Sequence, residues 1–420
     1  MLRLWAITGQ GRLFESLQYR DYRLFWFGQL ISVLGFQMLM LTQIWLVYDL
    51  TGSTVQLGLV GLSSAVPSIV LNLFGGVVAD KVNPRRLIMG SQLLGAVVMV
   101  ALATLTVTDV VQAWHVMIAA FLMGGLGAFD GPSRQSIFPH LIDRRSMQNA
   151  VALNSVIWQG TRIVGPAAAG ILIGVVGPAI IFYMTAVGFV TFVLFLAAVR
   201  MPAIERRSSG SVMQDMGDGL AFIRRNFIFM FLLGMTFFNS FFGLSYVQLL
   251  PVFQKDVLHV SESGLGLLAG MAGTGALAGT FIVAAMGGIR RKGLVMIGGA
   301  MVFGVMLVLF GYSRWFWISV PLVALAGLSS SIYMVLAQTT LQMLVPDQFR
   351  GRVMGIWGIT YNLMPMGGFQ AGMVASLVDA RFAVALGGVA VIGFALLGAA
   401  RSTQVRGLGV LPVPEVRSPS

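Results

Sequence analysis

Residues 75–107 read GGVVADKVNPRRLIMGSQLLGAVVMVALATLTV, and this stretch decides the fold. A short charged segment, carrying Asp80, Lys81, Arg85 and Arg86, separates two long apolar runs. The second run, residues 86–108, is long enough to cross a hydrocarbon layer as a helix, which takes about 20 apolar residues. Working outward, runs of the same kind recur at 24–48, 56–79, 111–129, 150–175 and 178–199. After a polar segment at 200–225 they resume at 227–252, 264–287, 293–312, 315–337, 352–377 and 382–400. In lipid a spanning backbone must satisfy its own hydrogen bonds, and runs of this length do so as helices. The expected fold is therefore an all-α integral membrane protein with twelve transmembrane helices in two six-helix bundles. The expected segments are 1–23 (N-terminal), 24–199 (first bundle), 200–226 (linker), 227–400 (second bundle) and 401–420 (tail).

Composition agrees with lipid as the solvent. Hydrophobic residues make up 57% of the chain and charged residues 10%, where a soluble domain carries about a quarter charged. Six of the 52 glycines, Gly264, Gly266, Gly270, Gly273, Gly275 and Gly279, fall in one apolar run. Small residues let two helix backbones approach closely in a membrane. The absence of cysteine excludes disulfides, thiol catalysis and cysteine-ligated metal.

The net charge of +12 would suggest nucleic acid for a soluble chain. Here the cations lie between spans. If the N-terminus is inside, 23 of the 27 Lys and Arg residues fall in inner segments, and the outer loops hold only Lys255, Arg314 and Arg381. Such a bias sets orientation, so both termini are expected in the cytoplasm and the protein in the cell membrane, with lipid and no nucleic acid as partner. Residues 1–23 contain Arg3, Arg12, Glu15, Arg20, Asp21 and Arg23 without an apolar core, unlike a cleavable signal peptide. The tail 401–420 is rich in Pro, Gly and Ser and is expected to be disordered.

The two halves echo each other. A basic cluster follows the second span (Lys81, Arg85, Arg86) and the eighth (Arg290, Arg291, Lys292). FPHLIDRRSMQNAV (138–151) follows the fourth span, and LQMLVPDQFRGRVM (341–354) follows the tenth. Matching loops in two halves indicate an internal duplication, and hence pseudo-symmetric bundles.

The loop GGVVADKVNPRRL (75–87) resembles the signature loop of the major facilitator superfamily, G-x-L-A-D-x-x-G-R-K in idealised form. Gly76, Ala79, Asp80 and Arg85 match, whereas Asn83 and Pro84 depart from it. A longer stretch, FDGPSRQSIFPHLIDRRSMQNAVALNSVIWQGTRIVGPAAAGILIG (129–174), is similar to the transmembrane secretion effector branch, which includes enterobactin-exporter-like proteins. Its features F-D-x-P-x-R-Q, N-A-x-x-L-N-S and R-I-x-G-P-x-x-x-G occur here in order. The resemblance spans the whole chain. It implies the major facilitator fold and a cytoplasmic latch, with Gly76, Asp80, Arg85, Arg86, Asp130, Arg134, Arg350 and Arg352 as candidate gate residues. Asp80 at a helix C-terminus is unfavourably placed for the helix dipole and calls for a cation, either Arg85 or the Arg350–Arg352 start of the eleventh span. GPAAAG (165–170) resembles an antiporter motif of the fifth helix. Gly165, Pro166 and Gly170 there are compatible with a moving gate and with a static kink alike.

Arg162 reads as the only ionisable side chain deep within a span, about 15 Å in at ~1.5 Å per residue. Asn154 and Trp158 precede it at helical spacing and complete a polar-aromatic stripe. Further candidates for the same cavity are Gln29, Ser32, Gln37, Gln43, Ser68, Asn72, Asn239, Tyr246, Tyr333, Gln338, Tyr361 and Asn362, the last two ahead of Pro365. Asn239 and Tyr246, seven apart, are expected on one face. Together they predict a wide, mostly apolar cavity for a bulky amphipathic substrate. Phe121 stands where many antiporters of the superfamily carry an arginine, and Asp49 and Asp130 are expected at helix ends, so no midplane carboxylate marks the coupling ion as proton or sodium, and Asp130 and Asp80 remain the candidates for proton coupling.

No phosphate-binding G-x-x-x-x-G-K-[ST] occurs. His115, His140 and His259 are dispersed, without zinc spacing, and no nucleophile–base pair is apparent. The expectation is a monomeric secondary active exporter of small amphipathic molecules, not an enzyme, with no cofactor or metal. The alternatives are an importer or lysolipid flippase of the same fold, or a non-transporting receptor or scaffold, which would need neither duplicated halves nor a latch.

Overall fold

The apolar runs fold as helices. The computed structural model describes residues 15–81, 83–200, 212–286 and 291–408. In chain order the helices are α1 (Arg20–Thr51), α2 (Thr54–Lys81), α3 (Pro84–Val107), α4 (Ala113–Ile137), α5 (Met147–Val176), α6 (Pro178–Ala198) and α7 (Val212–Arg225). Then come α8 (Phe227–Val257), α9 (Glu262–Ala285), α10 (Lys292–Tyr312), α11 (Phe316–Leu344), α12 (Asp347–Tyr361), α13 (Met364–Leu377), α14 (Ala380–Arg401) and the short α15 (Thr403–Arg406). Among the described residues, eleven helices are long and apolar enough to cross a membrane. The eleventh expected span, 352–377, is broken into α12 and α13 at Asn362 and Leu363. Pro365 lies in the first turn of α13. It supplies no N–H and disfavours helical backbone at the residue before it, which suits a helix start and not a helix interior.

Several boundaries differ from the sequence reading. Helix α4 continues to Ile137 through Pro132, so Asp130 lies inside a helix and not at its end. Helix α8 contains two π-helical turns, Phe238–Gly243 and Phe253–Val257. The first separates Asn239 from Tyr246, so their spacing is not two plain α-turns. The linker holds a helix, α7, whose Phe222 stacks on Phe349 of α12 at 4.4 Å. The start of the tail is ordered: Val405 of α15 is fully buried, and the Gly293 N–H donates to the Leu408 carbonyl at 3.4 Å. The rest of the tail (409–420), residues 1–14 and 201–211, and Arg290 of the second basic cluster lie outside the described residues.

The chain forms two compact units. One takes in the described residues up to Leu46 and from Val66 to Arg200; the other takes in Val47–Ala65 together with the described residues from Val212 onward. The turn between α1 and α2 therefore belongs to the second unit. In the first unit, Tyr22, Phe25, Ile88, Ile137, Phe192 and Leu196 share a core. In the second, α9 and α11 cross backbone to backbone. A Cβ added at Gly275 would overlap the Ala324 carbonyl, and one at Gly327 would overlap the Ala272 carbonyl. Without a hydrophobic drive between helices in lipid, such close packing is what holds them together.

Gly275→Ala therefore forces these two helices apart. It is expected to lower stability by about 1–3 kcal/mol, the usual cost of overpacking, read as a lower thermal unfolding midpoint in detergent. Gly90→Ala is the control, because nothing lies within 4 Å of its added Cβ. Equal midpoints for the two variants would contradict this account of the crossing.

Candidate functional site

In the first unit, α5 is strapped to α1 by three side chains of α1. Tyr22 Oη donates to the Ala150 carbonyl at 3.0 Å, Trp26 Nε1 to the Leu153 carbonyl at 3.1 Å, and Gln29 Nε2 to Asn154 Oδ1 at 2.6 Å. Gln29 and Asn154, both candidates from the sequence, thus occupy each other. The rest of the stripe is open: Trp158 is 43% exposed. Arg162 is half-buried and makes no hydrogen bond or ion pair among the described residues. Gln37 is met at the next crossing, where a Cβ on Gly165 would lie 2.6 Å from the Gln37 Cβ. Gly165 and Gly170 are buried, and α5 runs unbroken through Pro166.

A second polar centre joins α1, α3, α4 and α6. Arg134 Nε donates to Asp130 Oδ2 at 2.5 Å, and Arg134 Nη2 donates to Ser32 Oγ at 3.1 Å. Gln92 Nε2 donates to Asp130 Oδ1 at 3.1 Å, and Ser32 Oγ donates to Gln92 Oε1 at 2.9 Å. The guanidinium also lies 4.4 Å from the Phe192 ring centre, a cation–π distance. At 7% exposure Arg134 is buried in the last turn of α4, and its Nη1 has no partner among the described residues. The i,i+4 spacing of Asp130 and Arg134 was visible in the sequence, but its meaning depended on how far α4 extends.

Of the other gate candidates, Arg85 Nη2 donates to the Ala197 carbonyl at 2.7 Å, placing a cation on the C-terminal end of α6. Arg86 and Arg350 are exposed. Arg352 is half-buried, with its guanidinium 5.8 Å from the Phe349 ring centre. The side chains of Asn72 and Asp80, and the surroundings of Gly76, lie outside the described residues.

In the second unit, Asn239 is 1% exposed, and its Oδ1 accepts from Ser330 Oγ at 2.8 Å and Tyr333 Oη at 2.5 Å. Tyr246, 2% exposed, packs edge-on against Phe310 of α10. The two residues thus face different helices, α11 and α10, inside the unit. Tyr361 is half-buried and stacked on Trp357 with centroids 5.5 Å apart, and Asn362 is exposed at the break.

The sequence reading did not foresee a clamp on the α1–α2 turn. Lys255 Nζ donates to Asp49 Oδ1 at 3.0 Å, and Tyr48 Oη donates to Asp256 Oδ2. Beneath these contacts, α2 meets α13 so closely that a Cβ on Gly58 would lie 2.7 Å from the Phe369 Cα. Added Cβ atoms on Gly61 and Gly368 would both overlap the Gln248 side chain, whose Oε1 is buried without a partner. A cavity of about 590 Å³ opens beside the clamp, lined by Tyr48, Asp256, Asp379 and Arg381. Asp49 and Lys255 were both evident as charges at helix ends, but nothing local pairs residues so far apart in the chain.

With this geometry in hand, comparisons with known proteins become informative. The family model described as transmembrane secretion effector matches residues 13–406. Macrolide efflux protein A of Streptococcus pyogenes is 24% identical over 395 residues, covering 90% of this chain and 96% of that protein. Enterobactin exporter EntS of Shigella boydii is 23% identical over 359 residues, covering 83% and 84%. The crystal structure of the nucleoside transporter NupG superposes with a TM-score of 0.70 at 13% identity, over 91% of this chain and 98% of that one. That last likeness bears on the fold alone.

The Asp130–Arg134 pair yields a prediction. Removing one partner leaves the other charge enclosed, so Asp130→Ala is expected to cost about 3 kcal/mol or more. Arg134→Met together with Asp130→Ala should recover much of that loss, as measured by thermal unfolding of the purified protein. A double variant no more stable than the single one would mean that the pair is not the unit of stabilisation.

Proposed function

The chain belongs to the transmembrane secretion effector family of the major facilitator superfamily, and on that premise we propose that it is a secondary active exporter of small amphipathic molecules, drug-like or siderophore-like, in the cell membrane. The observation that carries this reading is the near full-length similarity to proteins named for macrolide efflux and enterobactin export. The distribution of Lys and Arg supports placing both termini in the cytoplasm. In that orientation the α1–α2 turn and its clamp lie outside. The Asp49–Lys255 and Tyr48–Asp256 contacts, which lie within the second unit, are proposed to part when substrate leaves. Asp80, Arg85, Arg350 and Arg352 are proposed for the cytoplasmic latch. The substrate cavity is proposed to be lined by Arg162, Trp158 and the Gln29–Asn154 pair, with proton or sodium as coupling ion and the monomer as working unit. The protein carries molecules without altering them, and is not an enzyme.

An unpaired guanidinium in a span is costly and is retained where water or substrate reaches it. Arg162→Ala is therefore expected to reduce transport per folded molecule at least about tenfold while leaving the unfolding midpoint near that of the wild type. Normal transport per folded molecule would remove Arg162 from the site.

The function is tested by flux in proteoliposomes under imposed pH or sodium gradients, with erythromycin, enterobactin and ethidium as trial substrates. Gradient-dependent movement of at least one towards the outer face is expected, and movement only towards the inner face would overturn export. Since the chain has no cysteine, Asp49→Cys with Lys255→Cys allows the clamp to be cross-linked by a short bis-maleimide. Cross-linking is expected to stop flux; full flux in the cross-linked protein would show that the clamp does not open.

A further inference from the structure

The break between α12 and α13 carries a set of hydrogen-bonding groups with nothing to bind. Trp357 Nε1 is buried and has no partner. Tyr361, one turn further and stacked on the same indole, and Asn362, exposed at the break, make no side-chain hydrogen bond among the described residues. This contrasts with the other indole and phenol groups buried in the bundles. Trp26, Tyr22 and Tyr333 each donate a hydrogen bond. A buried indole N–H ordinarily finds an acceptor, and one that lacks it calls for an explanation.

The surroundings narrow what that acceptor could be. Residues 353–378 contain no acidic, basic or histidine side chain, so the segment offers no charge to neutralise an ionic ligand. It offers stacked aromatic faces instead. The Trp357–Tyr361 stack lies before the break. Beyond it, α13 crosses α8 so closely that a Cβ on Gly367 would overlap the Phe241 carbonyl. At that crossing the half-buried rings of Phe237 and Phe241 stack 5.2 Å apart.

We propose that Trp357, Tyr361 and Asn362 form a substrate subsite for an uncharged ring bearing carbonyl or hydroxyl acceptors, such as a macrolactone. The indole N–H and phenol O–H donate to those acceptors, the Asn362 amide donates or accepts beside them, and the aromatic faces cover the apolar side of the ring. The subsite rests on the exporter reading and names the substrate chemistry it would favour.

Tyr361→Phe and Trp357→Phe test it on the full-length protein: the first removes only a hydroxyl, and the second removes the indole donor together with one ring of the stack. Two probes are used: erythromycin, whose macrolactone ring is uncharged and bears carbonyl and hydroxyl acceptors although its amino sugar is protonated at neutral pH, and ethidium, a planar cation without a carbonyl. One neutral hydrogen bond is worth a modest factor, so erythromycin affinity is expected to fall about three- to tenfold in Trp357→Phe, and again in Tyr361→Phe. Ethidium, which has no acceptor for either donor, should lose less affinity than erythromycin in Tyr361→Phe. The unfolding midpoint of ligand-free Tyr361→Phe should not drop, since the phenol donates to no partner among the described residues, while the midpoint shift produced by erythromycin should shrink. Unchanged erythromycin affinity in both variants, or a lower ligand-free midpoint in Tyr361→Phe, would overturn the subsite. Wild-type protein that moves ethidium but does not bind erythromycin would overturn the subsite and leave the exporter reading standing. Erythromycin binding that is lost in Trp357→Phe, with no flux of any probe, would do the reverse.

Discussion

In a hydrocarbon layer no water completes a broken backbone hydrogen bond, so each spanning segment must match its own N–H and C=O groups. That constraint turns the apolar runs into helices, and it makes any departure from regular helix conspicuous. The departures are concentrated in the second unit. The π-helical turns of α8 and the break between α12 and α13 lie on two helices that cross at Phe241 and Gly367. At both places local hydrogen bonds take the place of regular ones. Ser245 Oγ donates to the Phe242 carbonyl at 2.6 Å, and the Leu363 N–H turns back to the Thr360 carbonyl at 3.4 Å. Irregular backbone is tolerated in a membrane where protein or a cavity covers it, and π-turns recur at functional sites. Two irregular helices meeting at a glycine are thus a more economical marker of function than any single side chain.

The same solvent explains the glycines. Apolar side chains gain nothing by leaving lipid for one another, so helices associate where backbones can touch. The α9–α11 crossing joins this contact to a side-chain hydrogen bond between Thr280 Oγ1 and Ser331 Oγ at 2.9 Å. At the α2–α13 contact, glycines on both helices again permit close approach, but they enclose Gln248, an amide with an unmet acceptor, under two polar contacts at the α1–α2 turn. The buried Gln248 oxygen at the α2–α13 contact is desolvated and gains on exposure to water.

Much of this was legible in the sequence because hydropathy and charge are local properties. The apolar runs, the polar linker, the basic loops and the halves they define follow from counting along the chain. What was not legible depends on register and on distance. A π-turn adds a residue without a compositional signature, so Asn239 and Tyr246 were read as sharing a face when one bonds Ser330 and Tyr333 and the other packs on Phe310. Asp130 was read as a loop-end charge because the apolar run stops near Phe129, whereas α4 continues to Ile137 with Arg134 folded back on Asp130. Gln29 and Asn154 were both named as polar residues of interest, but that they satisfy each other is a product of the α1–α5 crossing. Pro365 was noticed, but a proline inside an apolar run signals either a kink or an interruption, and only the backbone distinguishes the two.

The polar side chains within the helices then divide into two kinds. Gln29–Asn154 and Asn239–Ser330–Tyr333 close on themselves within their own units, and Ser32–Gln92–Asp130–Arg134 does so except at Arg134 Nη1. Closed sets of this kind fix helix positions and stabilise one arrangement. Arg162, Trp357, Tyr361 and Asn362 are left open among the described residues. A buried, unmet hydrogen-bonding group costs about 1–3 kcal/mol, and an apolar residue of similar shape would avoid that cost. Stability alone therefore does not account for the buried Trp357 Nε1, nor for Gln43 Nε2, Ser240 Oγ, Gln248 Oε1 and Thr340 Oγ1, which are likewise buried and unmet among the described residues. A group left open in one conformation is available to a partner that arrives and departs, which is the property a carrier must have at the surface where its substrate binds.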